Sequence, residues 1–299
     1  MTAEARRARH IAAFVLLALI WGSTWLVIKD QLGPVPPGWS VTWRFLLAAL
    51  AMFGLAAFRR EPLLDRATIA FALPVGLFQF FANFQLVYQA ERFITSGLVA
   101  VLFALLLVPN AVLGRIFLGT ELRARFLAGS AVALGGIALL LLHEYRVAPA
   151  GSAAFAGFAL TACAILCASS SNVLLASKRA QGMSVLVLLA WAMLWGTGAD
   201  AVWSWLTAGP PAIDWSPRYL GGVAYLGLVG SVLTFPLYIA LIRDWGPGPA
   251  AYNGVAVPVV AMGLSTLFEG YRWTPLAAGG AVLAMAGLLV ALSGRKAGA

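Results

Sequence analysis

Val108-Pro109-Asn110-Ala111-Val112-Leu113-Gly114 reads again, 149 positions later, as Val257-Pro258-Val259-Val260-Ala261-Met262-Gly263. Leu and Ala recur by chance in an apolar chain. A Val-Pro pair in register with a glycine five residues past the proline is harder to obtain that way. Working outward at the same offset, Gly97 meets Gly246, Leu127-Ala128 meets Leu276-Ala277, and Leu139-Leu140 meets Leu288-Leu289. Tyr88 and Tyr238, like Glu121 and Glu269, fall within one residue of register. The echo covers ten apolar spans, five in each copy. An odd number of crossings per copy forces the second to enter the membrane upside down. The two copies are then related by a pseudo-two-fold axis lying in the membrane plane.

Composition sets the class. The chain is 62% hydrophobic and 10% charged, against about 45–50% and about 25% in soluble domains. Folded in water, it would expose apolar surface on every side. An all-α membrane protein is expected, with ten transmembrane helices arranged as two inverted five-helix repeats. Residues 1–299 form one membrane domain, with repeat 1 over 10–146 and repeat 2 over 150–295. A helix crosses the hydrocarbon core with about 20 residues. On that rule the spans fall near 11–29, 39–58, 67–90, 94–115, 125–142, 152–176, 183–206, 218–242, 249–268 and 275–293. The sharpest breaks are Gly33 to Gly38, Pro149 to Gly151, Pro210-Pro211 and 246–249. Arg6, Arg7 and Arg9 before Ile11 imitate a signal peptide, but the apolar run continues through Trp25 with no small-residue cleavage site, so an uncleaved first span is expected.

The basic residues sort by side. Fourteen Lys and Arg, from Arg6, Arg7 and Arg9 through Arg59, Arg60, Arg115, Arg123 and Lys178 to Arg243, Arg295 and Lys296, fall on one face. The other face has five: Lys29, Arg92, Arg146, Arg218 and Arg272. Cytoplasmic loops carry such an excess, so both termini are expected in the cytoplasm. The same sorting accounts for the net charge of +9 as topology, and nucleic acid is not an expected partner.

Proline placement separates the helices. Spans three, four, eight and nine carry Pro74, Pro109, Pro236 and Pro258 in their interiors. An interior proline removes a backbone hydrogen bond and bends the helix, and freed carbonyls are tolerated beside protein or a water-filled cavity. These four prolines are expected as hinges of helices lining a pathway. Spans five and ten, rich in Gly, Ala and Leu, are expected to be scaffold.

Polar groups within the spans are few and uncharged. They include Trp21, Ser23 and Thr24 in span one, and Gln79, Asn83, Gln85 and Tyr88 in span three. Span six has Ser169 through Asn172; spans eight and nine have Ser231, Thr234, Tyr238, Tyr252 and Asn253. Such groups are costly in hydrocarbon and should face an interior. Phe71, Phe78, Phe80, Phe81 and Phe84 add stacking surface in span three. Trp39 and Trp43 suit an interfacial anchor.

The acidic residues fall in loops or at span ends, save Asp200 in span seven. An ion pair with Arg44 at equivalent depth is one arrangement; exposure of Asp200 at the outer interface is the expected one. Proton coupling through a buried acid is therefore not expected, and the absence of a counter-charge favours a neutral or zwitterionic substrate. Cys163 and Cys167, one turn apart, are expected as small packing residues, with no metal site. His10 and His143 stand at opposite faces, too far apart for catalysis, so the chain is not expected to be an enzyme.

Trp21-Gly22-Ser23-Thr24, Arg44-Phe45-Leu46-Leu47-Ala48-Ala49, and the glutamates Glu121 and Glu269 closing spans four and nine resemble the drug/metabolite transporter superfamily, in its EamA branch of two five-helix repeats. Nearly the whole chain is covered. The second copy departs from the pattern, with Ser170 to Asn172 replacing the Trp-Gly motif. The resemblance implies a bacterial inner-membrane exporter working by alternating access, and the chain is similar to bacterial aromatic amino-acid exporters of that superfamily. The expected function is therefore export of small neutral metabolites, aromatic or other neutral amino acids, through a central uncharged cavity. Its expected walls are Trp21, Thr24, Gln79, Phe80, Asn83, Tyr88, Ser170, Asn172, Thr234, Tyr238, Tyr252 and Asn253. A monomer with no cofactor is expected. Multidrug or other metabolite efflux is the second transport reading, and a non-transporting membrane scaffold is the alternative of another class.

Overall fold

In a hydrocarbon solvent each backbone N–H and C=O must find its partner inside its own segment, so a chain of this composition folds as helices. The computed structural model describes residues 3–33, 35–147, 151–245 and 252–293, and among them there is no strand. We number ten helices: α1 (Ala3–Asp30), α2 (Pro37–Phe58), α3 (Arg66–Ala90), α4 (Ser96–Leu118), α5 (Ala124–Val147), α6 (Gly151–Ala176), α7 (Val185–Ala208), α8 (217–245), α9 (Asn253–Phe268) and α10 (Pro275–Ser293). Nine are long and apolar enough to cross a membrane; α9 is shorter among the described residues. The expected break at 246–249, the Gly246 partner of Gly97, Pro149, Arg295 and Lys296 lie outside the described residues, as do the side chains of Arg6, Arg7 and Arg243.

Which helix touches which reveals the internal symmetry. α5 packs along α10, α2 along α7, and α4 against α9. Further contacts come in exchanged pairs: α1 on α9 mirrors α6 on α4, α3 on α6 mirrors α8 on α1, and α3 on α7 mirrors α8 on α2. Replacing each helix by the one five places on therefore returns these neighbours, whereas α5 on α6, α1 on α4 and α2 on α3 have no counterpart of like extent among the described residues. Because five crossings separate α1 from α6, the operation also turns the unit over.

The α5–α10 pair shows how the halves are held. Lipid tails are as apolar as leucine, so helices associate through close backbone packing. A Cβ on Gly129 would stand 2.3 Å from the Ala291 nitrogen, one on Gly136 2.3 Å from that of Ala284, and one on Gly287 2.3 Å from that of Ala133. Only glycine admits this approach. The pair is not pure scaffold, however, since Leu288 and Leu292 of α10 reach the central hollow.

Three of the proline helices depart from α geometry. α3 widens into a π segment at Leu77–Ala82 and α8 into one at Tyr225–Leu233, equivalent places in the two copies. α4 tightens into a 3₁₀ turn at Ala104–Leu106 just before Pro109. In α8 the residue four before Pro236 lies in the π segment, where a wider turn relieves the ring's clash with that carbonyl. The α3 segment begins after Pro74, so the proline's clash does not explain it. Pro258 lies within an unbroken α9.

Two side chains differ from expectation. Trp39 is only 3% exposed, stacked on Trp43 with centroids 5.8 Å apart, because α7 and α8 cover the start of α2. It is a core residue rather than an interfacial anchor. Cys163 is exposed and Cys167 partly so; both sit on an outer face of α6 instead of filling a helix contact.

Candidate functional site

Repeat-related helices leave a hollow of about 410 Å³ at the centre of the molecule, within the range of about 300–1,000 Å³ usual for small-ligand sites. Its wall draws on α1, α2, α3, α4, α6, α8, α9 and α10. α1 contributes Trp21. The Trp21 Nε1–H donates to Thr234 Oγ1 at 3.0 Å, and the ring lies 5.1 Å from Tyr238 and 6.3 Å from Phe235. One turn on, Thr24 donates to the Trp21 carbonyl at 2.7 Å, and Trp25 packs on Phe103 of α4.

From α3, Gln79 and Asn83 share a face, as residues four apart on a helix must. Asn83 Nδ2 donates to the Gln79 carbonyl at 3.2 Å. From α9, Asn253 Nδ2 donates across to the Phe14 carbonyl at 3.0 Å. The side-chain oxygens of all three amides, Gln79 Oε1, Asn83 Oδ1 and Asn253 Oδ1, are buried and find no partner among the described residues. Buried acceptors are normally paired, so three unpaired ones on residues of a single wall set this hollow apart.

At the end nearer the chain termini the hollow meets a second cavity of about 410 Å³, with which it shares Leu107, Asn110 and Asn172. Asn172 Nδ2 donates to Asn110 Oδ1 at 3.3 Å where the two spaces join. The second cavity opens among the exposed Thr120, Glu121 and Arg123 of the α4–α5 loop. The opposite end is tied shut. Lys29 donates to the carbonyls of Glu91 and Ile94, Ser96 to the Glu269 carboxylate, and Arg218 pairs with Asp30. The hollow thus leads through the second cavity toward the side of the termini, while among the described residues these ties lie across its other end.

Seven of the twelve residues expected on the wall line it: Trp21, Thr24, Gln79, Asn83, Asn172, Tyr238 and Asn253. The other five stand elsewhere. Phe80 is fully buried between Phe45 and Phe235. The Tyr88 hydroxyl donates to Gln31 Oε1 at 2.9 Å toward the tied end. Ser170 donates to its own helix at Leu166, Thr234 sits behind Trp21, and Tyr252 is 37% exposed. Of the α3 aromatics only Phe84 reaches the hollow. Most of its rings come instead from Trp21, Trp25, Phe103, Phe235 and Tyr238.

Two electrostatic expectations fail. The hollow is not uncharged, because Arg44 of α2 is part of its wall. Asp200 is not at an interface either: it is fully buried and accepts from Gln85 Nε2 at 2.8 Å. Its depth in α7 was legible, but not that α2 and α3 close over it. Glu91 is likewise fully buried, so acidic groups do lie inside the protein. Asn110, next to Pro109, was also missed; the signal available was one amide in an otherwise apolar stretch of span four. Among the described residues no three His, Cys, Asp or Glu side chains gather to hold a metal.

Helices in two exchangeable halves around a hollow of solute size, open to one side and bolted on the other, define a membrane transporter. The chain belongs to the EamA-like transporter family, whose pattern matches residues 9–142 and again 155–293, one match per half. It is similar to "Protein PagO" of Salmonella typhimurium, 26% identical over 265 residues that cover 86% of this chain and 84% of that one. It is also similar to proteins named "Probable amino-acid metabolite efflux pump". The one in Salmonella typhimurium is 27% identical, covering 94% of this chain and 93% of its own; the one in Escherichia coli is 27% identical, covering 94% of each. A solved crystal structure superposes with a TM-score of 0.67 over 95% of this chain and 96% of its own at 17% identity, which shows the shared fold.

Proposed function

We propose that this protein exports amino acids or closely related zwitterionic metabolites, aromatic ones among them, through the central hollow by alternating access. The observation that carries this is the wall itself: Gln79, Asn83 and Asn253, whose amide oxygens are buried without a partner among the described residues, line one hollow with the rings of Trp21, Trp25, Phe84, Phe103, Phe235 and Tyr238. An ammonium group needs acceptors, and an aromatic side chain needs stacking area. The efflux-pump names of two relatives agree with that chemistry. The sorting of Lys and Arg puts the termini in the cytoplasm of a bacterial inner membrane, so the open side faces the cytoplasm, where an exporter loads. Pro74, Pro109, Pro236 and Pro258 are the hinges of the movement, and one chain, holding both repeats, is the working unit.

Counterflow in proteoliposomes tests the reading. Vesicles loaded with phenylalanine should accumulate labelled phenylalanine from outside. Asn83→Leu removes the amide and fills its place, and should lower that accumulation at least tenfold while the purified variant stays monodisperse. Counterflow at the normal rate in the variant would take Asn83 out of the site. Failure of the unaltered protein to move any amino acid, with movement of cationic dyes instead, would replace the reading with multidrug efflux.

A further inference from the structure

Arg44 holds the only cationic side chain on the wall of the hollow among the described residues. It is 3% exposed. Its guanidinium carbon lies 4.5 Å from the centre of the Phe84 ring and 4.9 Å from that of Phe45. Stacking on rings satisfies the flat faces of a guanidinium but none of its N–H donors. Two of the donor nitrogens, Nε and Nη1, have no acceptor among the described residues.

The nearby acids do not supply one. Asp200 is engaged by Gln85, and both carboxylate oxygens of Glu91 are themselves without partners. The Tyr88 hydroxyl, whose hydrogen goes to Gln31, offers its oxygen to the guanidinium, and the Glu91 carboxyl is the acidic group nearest in charge; Nε and Nη1 are still left over. A buried cation with unfilled donors beside a solute-sized cavity is complementary to an anion that arrives with the solute. The flat, forked guanidinium suits a carboxylate in particular.

We propose that the Arg44 end of the hollow is a carboxylate subsite, so that the transported compounds are organic acids, amino acids included. The subsite deepens the amino-acid reading and rests on the hollow being the transport site. The donors lie just under the wall, with the Phe84 ring beside them at its surface, so binding turns that ring aside. Gln79 and Asn83 then accept from the ammonium group. A zwitterion is matched at both ends, and its side chain lies against Trp21 and Phe235.

Matched ligands separate the possibilities. Phenylalanine, 3-phenylpropionate and phenethylamine share a ring and chain but differ in carboxylate and amine. Each is measured on the detergent-purified full chain by its shift of the melting temperature and as a competitor in counterflow. In the unaltered protein the two acids should bind at least tenfold more tightly than phenethylamine. Arg44→Gln should erase that gap, and Arg44→Lys should keep part of it. Equal binding of phenethylamine and the acids, or a gap that survives in Arg44→Gln, would overturn the subsite. If Arg44→Gln does not fold, the ligand series on the unaltered protein decides alone. Arg44-dependent binding of 3-phenylpropionate without transport of any amino acid would sink amino-acid export and leave the subsite standing. No binding of either acid by the unaltered protein would sink the subsite.

Discussion

At the scale of single residues, charge is where the linear chain misleads. Arg44 and Asp200 were both visible as ionisable groups within spans, at equivalent depth, and an ion pair was one arrangement open to them. The structure splits them between different partners. Asp200 Oδ1 takes the amide hydrogen of Gln85, while Oδ2 has no partner. Arg44 turns to rings and to the hollow. Helical spacing gives the face of a residue but not which of several helices will cover it, and that choice decided both positions. Asp200→Ala removes the acceptor and leaves Gln85 Nε2 stranded, and it should destabilise the protein by about 1–3 kcal/mol. Asp200→Asn keeps an oxygen in place and should cost clearly less. Thermal unfolding of the two purified variants checks the difference; equal losses would show that the carboxylate, rather than the bond to Gln85, matters there.

Elements were far more legible than side chains. Span limits follow from hydropathy and bilayer thickness, so expected and observed helices agree within a few residues; α2, placed at 39–58, runs Pro37–Phe58. The Gly-rich character of spans five and ten was also enough to foresee close packing. The π segments were not foreseen, because no residue type marks a wide turn as proline marks a kink. Their recurrence at equivalent places in α3 and α8 ties the backbone irregularity to the repeat, and Gln79 sits in the first of them. The α5–α10 contact supplies a test at this scale. Gly136→Ala drives a methyl against backbone atoms of Ala284 and Gly280, at 2.3 and 2.5 Å, with no flexible side chain to yield. Overpacking of that kind costs about 1–3 kcal/mol, and a lowered melting temperature should reveal it. The control is Gly135→Ala on the adjacent face, where the nearest atom stands 4.0 Å away and little change is expected.

For the molecule as a whole, most of the strongest helix contacts exchange between the two halves, and the proposed movement would trade one half's arrangement for the other's. The ties at the end away from the termini lie partly within the first half, Lys29 on the Glu91 and Ile94 carbonyls, and partly between the halves, Ser96 on Glu269 and Arg218 on Asp30. Seven wall residues were foreseen because polar groups in lipid must turn inward; the five that were not on the wall show that turning inward also means packing against protein. A solute path between the halves implies that solvent reaches Asn172 from the side of the termini only. This can be measured by labelling a single cysteine at position 172 with a membrane-impermeant maleimide, after replacing Cys163 and Cys167 with alanine, in vesicles of both orientations. Labelling should occur from the side of the termini and slow when phenylalanine is present. Labelling from neither side, or at a rate indifferent to phenylalanine and to 3-phenylpropionate, would mean that the hollow is not the route.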